Sequence, residues 1–496
     1  MALIIGACVL VASLAAVAAA ARALLSSREG SGDPTPLRTQ DFSRDPGWVG
    51  LNNRRLDRCV TTHQDFGWRR EGAAGGPGGS VGGLVTRAVE PGYYGKPVSL
   101  DLERPFRASG RLVVRRVGDL RFPSGSVMIG FFHHSIRDWR APNSLVMRLD
   151  SDAGPGGYGV GVEYGSRAYR AGGAGLLRPG PGERPVTFSL RRAYRWELAY
   201  DPAAVGGLGE VTLTMAGAAP VRVALSPKAR REGASFDRFG ITFPVNARGK
   251  AMDVRVDGLT LDGVREDLSR DPGWIGSGNR VRRRDCLTGK SHQFGWTGAA
   301  DGRVGGMIWR TDEKKPGRRA FYADRTGPLT LADRLHAEGT VQLDRANSDS
   351  ATLLGWFDSR ATGGGRALVA PGFVGVAIRG PSRDGQYFSP VIAPSRGRVI
   401  SRRSLLLNPS PRSLPWTLDW YPPDGRLGGR VGRMVVRLGD RRLEWRPKPS
   451  VIARGASMDH FGLRNVERGG SFQVVFFDDL RYTIAAGRRG PSTSAP

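Results

Sequence analysis

The sequence predicts an all-β protein built as two tandem β-sandwiches, and three observations predict it. The hexapeptide Ser43-Arg44-Asp45-Pro46-Gly47-Trp48 returns unchanged as Ser269-Arg270-Asp271-Pro272-Gly273-Trp274, 226 residues later. The stretches downstream of the two copies run in parallel for about 220 positions, the mark of a duplicated unit. Within each copy, short runs such as Ser126 to Phe132, Val211 to Met215, Arg433 to Leu438 and Ser471 to Phe477 carry β-branched and aromatic residues between Gly, Pro and Asp punctuation. After Leu25 no stretch carries a helical apolar stripe. Many short strands in units of this length read as two packed sheets.

Taken in order, residues 1–25 are a signal peptide or membrane anchor. Ala2 to Leu25 is the only long apolar run, uncharged before Arg22, and the small residues from Val17 to Ala23 offer A-x-A cleavage sites. An apolar helix there is nearly long enough to span a bilayer if it is not cleaved. Residues 26–39, rich in Ser, Gly and Pro, read as a flexible linker. The first sandwich takes residues 40–263, the second 264–484, and residues 485–496 are a disordered tail. In each hexapeptide Asp-Pro-Gly sets a tight turn, Pro fixing φ and Gly tolerating positive φ, and the Trp then anchors the first strand in a core.

The copies align in several further places. His63 to Trp68 answers to His292 to Trp296, Val81-Gly82-Gly83 to Val304-Gly305-Gly306, and Gly130-Phe131-Phe132 to Gly355-Trp356-Phe357. Gly233 to Gly240 matches Gly455 to Gly462, and each copy closes on an Asp-rich strand, Val254 to Leu261 and Val474 to Tyr482.

A formal net charge of +28 raises the question of nucleic acid. Only seven of the 74 basic residues are Lys, and the charge is dispersed along a Gly- and Ala-rich chain. Solvated surface charge fits that pattern, nucleic acid is not the expected partner, and an anionic polysaccharide or membrane surface remains compatible. Of three cysteines, Cys8 lies in the apolar segment, whereas Cys59 and Cys286 come after their hexapeptides by nearly the same distance. One buried free thiol per copy is the simplest reading. A bridge between them would need the copies to face each other across a pseudo-twofold axis.

The opening S-R-D-P-G-W, the Gly-Gly before a strand, the Gly-Phe-Phe or Gly-Trp-Phe strand and the closing Phe477-Asp478-Asp479-Leu480 together resemble tandem concanavalin A-like (lectin/glucanase, laminin-G-like) jelly-roll domains of exported bacterial proteins of uncharacterised function. The resemblance covers about residues 40–484. It implies two antiparallel sheets per domain, one of them curved, with opening and closing strands side by side and a ligand on the concave sheet or its rim loops. It also implies lectins, glycoside hydrolases and polysaccharide lyases as functional kin, with calcium common among them.

No Glu is followed two residues later by Asp, so the paired-carboxylate strand of retaining glucanases of this fold is missing, and no catalytic residue is assigned. His133, His134, Trp139, Arg140 and Asn143 form the most polar and aromatic cluster of the first copy, with Glu163 as an isolated acid. Trp356, Asp358, Arg383 and Tyr387 are their candidates in the second. Aromatic faces stack on sugars while Arg and Asn bond hydroxyls, so these ten residues are the candidate glycan-binding set. Asp237, Asp253, Asp257, Asp459, Asp478 and Asp479 are candidate Ca2+ ligands. His133 and His134 lack a third ligand at metal spacing, and no metal site is assigned.

The reading is a secreted or envelope-anchored, non-catalytic binding protein for a polysaccharide or another cell-surface component. The alternatives are a glycoside hydrolase or polysaccharide lyase with its site in one copy, and a structural envelope protein. The copies should carry function where they differ.

Overall fold

The computed structural model describes residues 36–486, apart from 57–58, 76–77, 119–125, 152–155, 181, 246–250, 286–290, 312–318, 363–368, 381–384, 396–403 and 424–431. The apolar segment 1–25, the spacer up to residue 35, Arg383 and the chain from 487 onward lie outside the described residues. So do Cys8 and Cys286.

The regular structure among the described residues is nearly all antiparallel strand, arranged as four sheets packed in pairs. In the first sandwich a nine-stranded sheet carries the closing strand Ala251–Leu261 between Phe106–Val117 and Ser80–Thr86. Its eight-stranded opposing sheet has Ser126–Phe132 between Ser144–Asp150 and Ser235–Thr242. The second sandwich repeats this plan. Its closing strand Phe472–Thr483 lies between Leu335–Ala346 and Val304–Trp309, and its opposing sheet has Ala351–Phe357 between Phe373–Arg379 and Ser457–Asn465. Each half is a pair of packed antiparallel sheets, as the resemblance implied.

Period-two alternation fills each core. Val127, Ile129 and Phe131 point into the first core with Leu145, Met147, Val160 and Phe239. Leu354 and Trp356 do the same in the second with Val374, Val376 and Phe461. The matching Gly-Gly pairs also have a packing reason. A Cβ on Gly82 would meet Val254 O at 2.0 Å, and one on Gly305 would meet Val475 O at 2.1 Å, so only glycine lets the closing strand lie this close.

The opening segments are exchanged between the sandwiches. Leu37–Gln40 pairs with Phe472–Thr483 and Val49–Leu51 with Phe321–Thr330, so the first hexapeptide belongs to the second sandwich. Ile275–Ser277 pairs with Tyr93–Asp101 and Arg280–Asp285 with Val60–Arg69, so the second hexapeptide belongs to the first. Trp48 sits in the core built by the second repeat, against Phe42, Tyr322 and Tyr482. Trp274 sits in the core of the first, against Tyr94 and Phe239.

Each turn is held as its sequence requires: Gly47 and Gly273 both have φ of +66°, and their N–H groups donate to Asp45 Oδ1 and Asp271 Oδ1 at 2.9 and 3.0 Å. Asn53 Nδ2 donates to Phe294 O, and Asn279 Nδ2 to Phe66 O, both at 2.6 Å. Opening and closing strands do lie side by side, but the opening strand at Leu37 is paired with the closing strand of the other repeat. The strand Leu37–Gln40 therefore lies mostly inside the stretch read as spacer. Cys59 is disulfide-bonded, which replaces the expected free thiol.

A third apolar cluster joins the two sandwiches. Met128, Phe132 and Val146, on the outer face of the first opposing sheet, pack with Met307, Trp309, Phe472 and Val474, on the outer face of the second closing-strand sheet. Polar contacts rim it: Ala346 N–H donates to Arg137 O at 3.1 Å and Tyr169 Oη to Pro409 O at 2.6 Å.

Candidate functional site

The contact between sandwiches treats two equivalent faces differently. The outer face of the first opposing sheet is partly filled by the second sandwich. The same face of the second opposing sheet carries Phe321, Leu353, Phe357, Phe373, Ala377 and Val391, an apolar floor. Over one end of that floor lies a cavity of about 520 Å³.

Ala351, Leu353 and Ala377 form its base, Val369 and Val466 its apolar walls, and Arg310, Asp349, Ser350, Arg379, Tyr387 and Arg468 its polar rim. Alternation explains the mixture, because Ala351 and Leu353, like Ala377 and Arg379, are two apart and share a face. Arg310 is buried, bonds Asp349 through its side chain, and donates to Arg468 O at 3.2 Å. Ser350 is fully buried, and its Oγ has no hydrogen-bond partner among the described residues. Arg379 Nε donates to Ser389 Oγ at 3.3 Å, and burial pulls its guanidinium below the usual range. No carboxylate pairs with Arg379 among the described residues. A half-buried cation facing a cavity is costly to keep without a counter-charge, and an anionic ligand would supply one.

A second cluster lies at the rim of the first opposing sheet. His133 and His134 come directly after the Ser126–Phe132 strand, and Asp237 on Ser235–Thr242 faces them. Asp237 Oδ1 accepts the His134 N–H at 2.9 Å, Oδ2 bonds His134 Nδ1, and His133 Nε2 lies 3.8 Å from the same oxygen. Burial pushes the His133 pKa down. Burial works to raise that of Asp237, but the His134 ring and backbone N–H carry it below the usual carboxylate value. The third donor that the sequence did not offer beside the two histidines thus comes from a strand 103 residues away.

The remaining candidates separate. Asn143 is a backbone brace, its Oδ1 accepting from Ser235 N–H at 3.1 Å. Trp139 carries the Arg140 guanidinium 4.1 Å above its ring, next to Asp138 in the seam between sandwiches. Glu163 bonds Arg148 across neighbouring strands. Trp356 is fully buried, donates to Thr483 O at 2.9 Å and presents no face to a ligand, because a Gly-Trp-Phe strand turns its middle residue inward. Asp358 accepts from Arg360 N–H at 2.8 Å, a local turn bond. Of the nine candidates among the described residues, Tyr387 alone lines the cavity. Arg310, Arg379 and Arg468 were missed; Arg379, two residues after Ala377 at the end of a strand, carried the only readable signal.

The candidate calcium ligands do not gather into one cage. Asp257 accepts from Ala73 N–H at 2.9 Å and from Arg111 Nε at 2.7 Å, while Asp253 pairs with Arg255. Asp459 accepts from Ser359, and Asp478 from Asp479 N–H.

The matches to known proteins are distant. No family model and no curated protein matches the chain. Among solved structures, the Emp47p carbohydrate recognition domain matches at 12% identity and a TM-score of 0.26, covering 37% of this chain and 84% of its own. Domains LG4-5 of the mouse laminin alpha1 chain match at 9% identity and 0.24, covering 83% and 90%. Alginate lyase Aly36B matches at 12% identity and 0.21, covering 45% and 99%.

Proposed function

We propose that this chain is an exported or envelope-tethered, non-catalytic protein that binds an acidic glycan in the cavity of its second sandwich. The observation that carries this reading is Arg379, half-buried and without a carboxylate partner among the described residues, beside Tyr387 over an apolar floor. A guanidinium pairs with a uronate or sulfate group in a fork, an aromatic ring packs on a sugar face, and a volume of about 520 Å³ lies in the range of small-ligand pockets.

Asp349 is the one carboxylate among the described lining residues, and it is engaged by Arg310. Hydrolysis of a glycoside usually calls for two carboxyl groups flanking the bond, so this lining favours binding over cleavage. The disulfide at Cys59 supports an oxidising compartment, as does the apolar leader.

Calorimetry with a polyuronate, a sulfated glycan and a neutral glucan tests the reading. Binding of an acidic polymer that weakens about tenfold or more in Arg379→Ala, with no binding of the neutral one, is expected. Equal affinity of wild type and Arg379→Ala for every glycan, or none at all, would sink it.

A further inference from the structure

We propose that His133, His134 and Asp237 form a binding site for a divalent transition metal of the zinc class, in the first sandwich only. One ligand atom from each residue lies within 4.8 Å of the other two. Tetrahedral zinc with bonds of ~2 Å sets its donors ~3.3 Å apart, a spread that side-chain rotation closes.

The three donors are already aimed. The Asp237 carboxylate is fixed by the His134 N–H on Oδ1, which leaves Oδ2 turned toward both imidazoles. The two rings stack with centroids 4.6 Å apart, and His134 Nδ1 and His133 Nε2 both lie near Asp237 Oδ2. Ser135 Oγ is 2.7 Å from His133 Nδ1 and can accept its proton, leaving Nε2 to the metal. A 3.3 Å contact from the Ser135 N–H to Nδ1 is given up in that tautomer. An outer partner of this kind sets the orientation of many metal-bound histidines.

The donor set names the metal class. Two imidazoles and one carboxylate suit zinc, cobalt, nickel or copper, whereas calcium takes six to eight oxygens. Arg238 Nη1 stands 3.7 Å from Asp237 Oδ2 and is tethered to Asp237 O at 2.6 Å, so it lowers the affinity of a cation without occupying the donors.

The second repeat shows what is added. There Asp459 accepts the Ser359 N–H at 2.8 Å and the Ser359 hydroxyl at 2.7 Å. The carboxylate clamp on the loop is therefore common to both copies and structural. The positions of His133 and His134 hold Asp358 and Ser359 in the second copy, which has no imidazole pair. One imidazole does stand at the second clamp, His460 Nδ1 lying 2.9 Å from Asp459 Oδ1, so the paired nitrogen donors are what the first copy adds.

The test uses the full chain, free of any affinity tag and stripped of metal, titrated with zinc by calorimetry and with cobalt by its visible absorption. One zinc per chain is expected, with cobalt absorption of a low-coordinate N/O site. His133→Ala and His134→Ala should each weaken zinc by about tenfold or more, and His336→Ala should leave it unchanged. His134 is exposed, so its replacement leaves folding intact. No stoichiometric zinc uptake, or uptake that survives both His133→Ala and His134→Ala, would overturn the proposal. Neither result bears on glycan binding by the second sandwich.

Discussion

Trp48 packs with its ring 5.6 Å from that of Tyr322, across the boundary between the two sequence repeats. Its counterpart Trp274 stacks at 5.8 Å on Tyr94, across the same boundary in the other direction. Tyr322 Oη and Tyr94 Oη face Asp45 and Asp271 at 3.5 and 3.4 Å, so each hexapeptide is read by the other repeat down to its aspartate.

Trp48→Ala is expected to cost ~3–5 kcal/mol and to act on the second sandwich, although residue 48 belongs to the first repeat. Trp274→Ala should act on the first. Hydrogen exchange resolved by region checks this, and protection lost around Phe106–Val117 in Trp48→Ala would contradict it.

The exchange also predicts which pieces fold. Residues 56–290 contain every strand of the first sandwich among the described residues and should fold as a separate chain. Residues 291–486 lack Leu37–Gln40 and Val49–Leu51 and should need residues 36–55 added, in cis or as a peptide. Far-UV dichroism and a cooperative melt decide both cases.

Peptide mapping without reductant should find Cys59 joined to Cys286. Val60 and Asp285, the chain neighbours of these two cysteines, are partners in the ladder. Cys59→Ser is expected to lower stability by ~2–4 kcal/mol, since the bridge closes a long loop. A Cys59 peptide linked to Cys8 would refute the pairing.

Asp138 is buried in the seam between the sandwiches, and burial pushes its carboxyl up to about 7. Its Oδ1 accepts the Trp139 N–H at 2.6 Å and its Oδ2 the Gln386 amide at 3.3 Å. The folded state holds this proton more tightly than the unfolded chain, whose value is near 3.9. Stability from this group is therefore fully present below about pH 4 and lost as the pH rises through about 7. Asp138→Asn should gain denaturation midpoint over wild type at about pH 8 and not at about pH 4. An equal change at both would remove Asp138 as the cause.

His336 works in a higher window. Burial lowers its pKa, but hydrogen bonds to Asp419 and Glu338 win and raise it to about 9. Its stabilising effect is full below about pH 6.5 and fades through about 9, which imidazole NMR titration and the pH dependence of His336→Asn would both report.

The all-β class, the duplication and the strands at Ser126–Phe132 and Arg433–Leu438 are legible in the sequence, because period-two alternation and turn residues are local signals. The Asp-Pro-Gly turns are legible for the same reason. Which core each turn serves is set by long-range packing, since Trp48 and Trp274 satisfy the same local rule in either sandwich. The same packing makes Trp356 core while Tyr387 lines a cavity, and joins Asp237 to His133 and His134. Those outcomes depend on pairings between strands 100 or more residues apart, such as Phe132 opposite Arg238, and a one-residue change of register would turn each side chain to the other face.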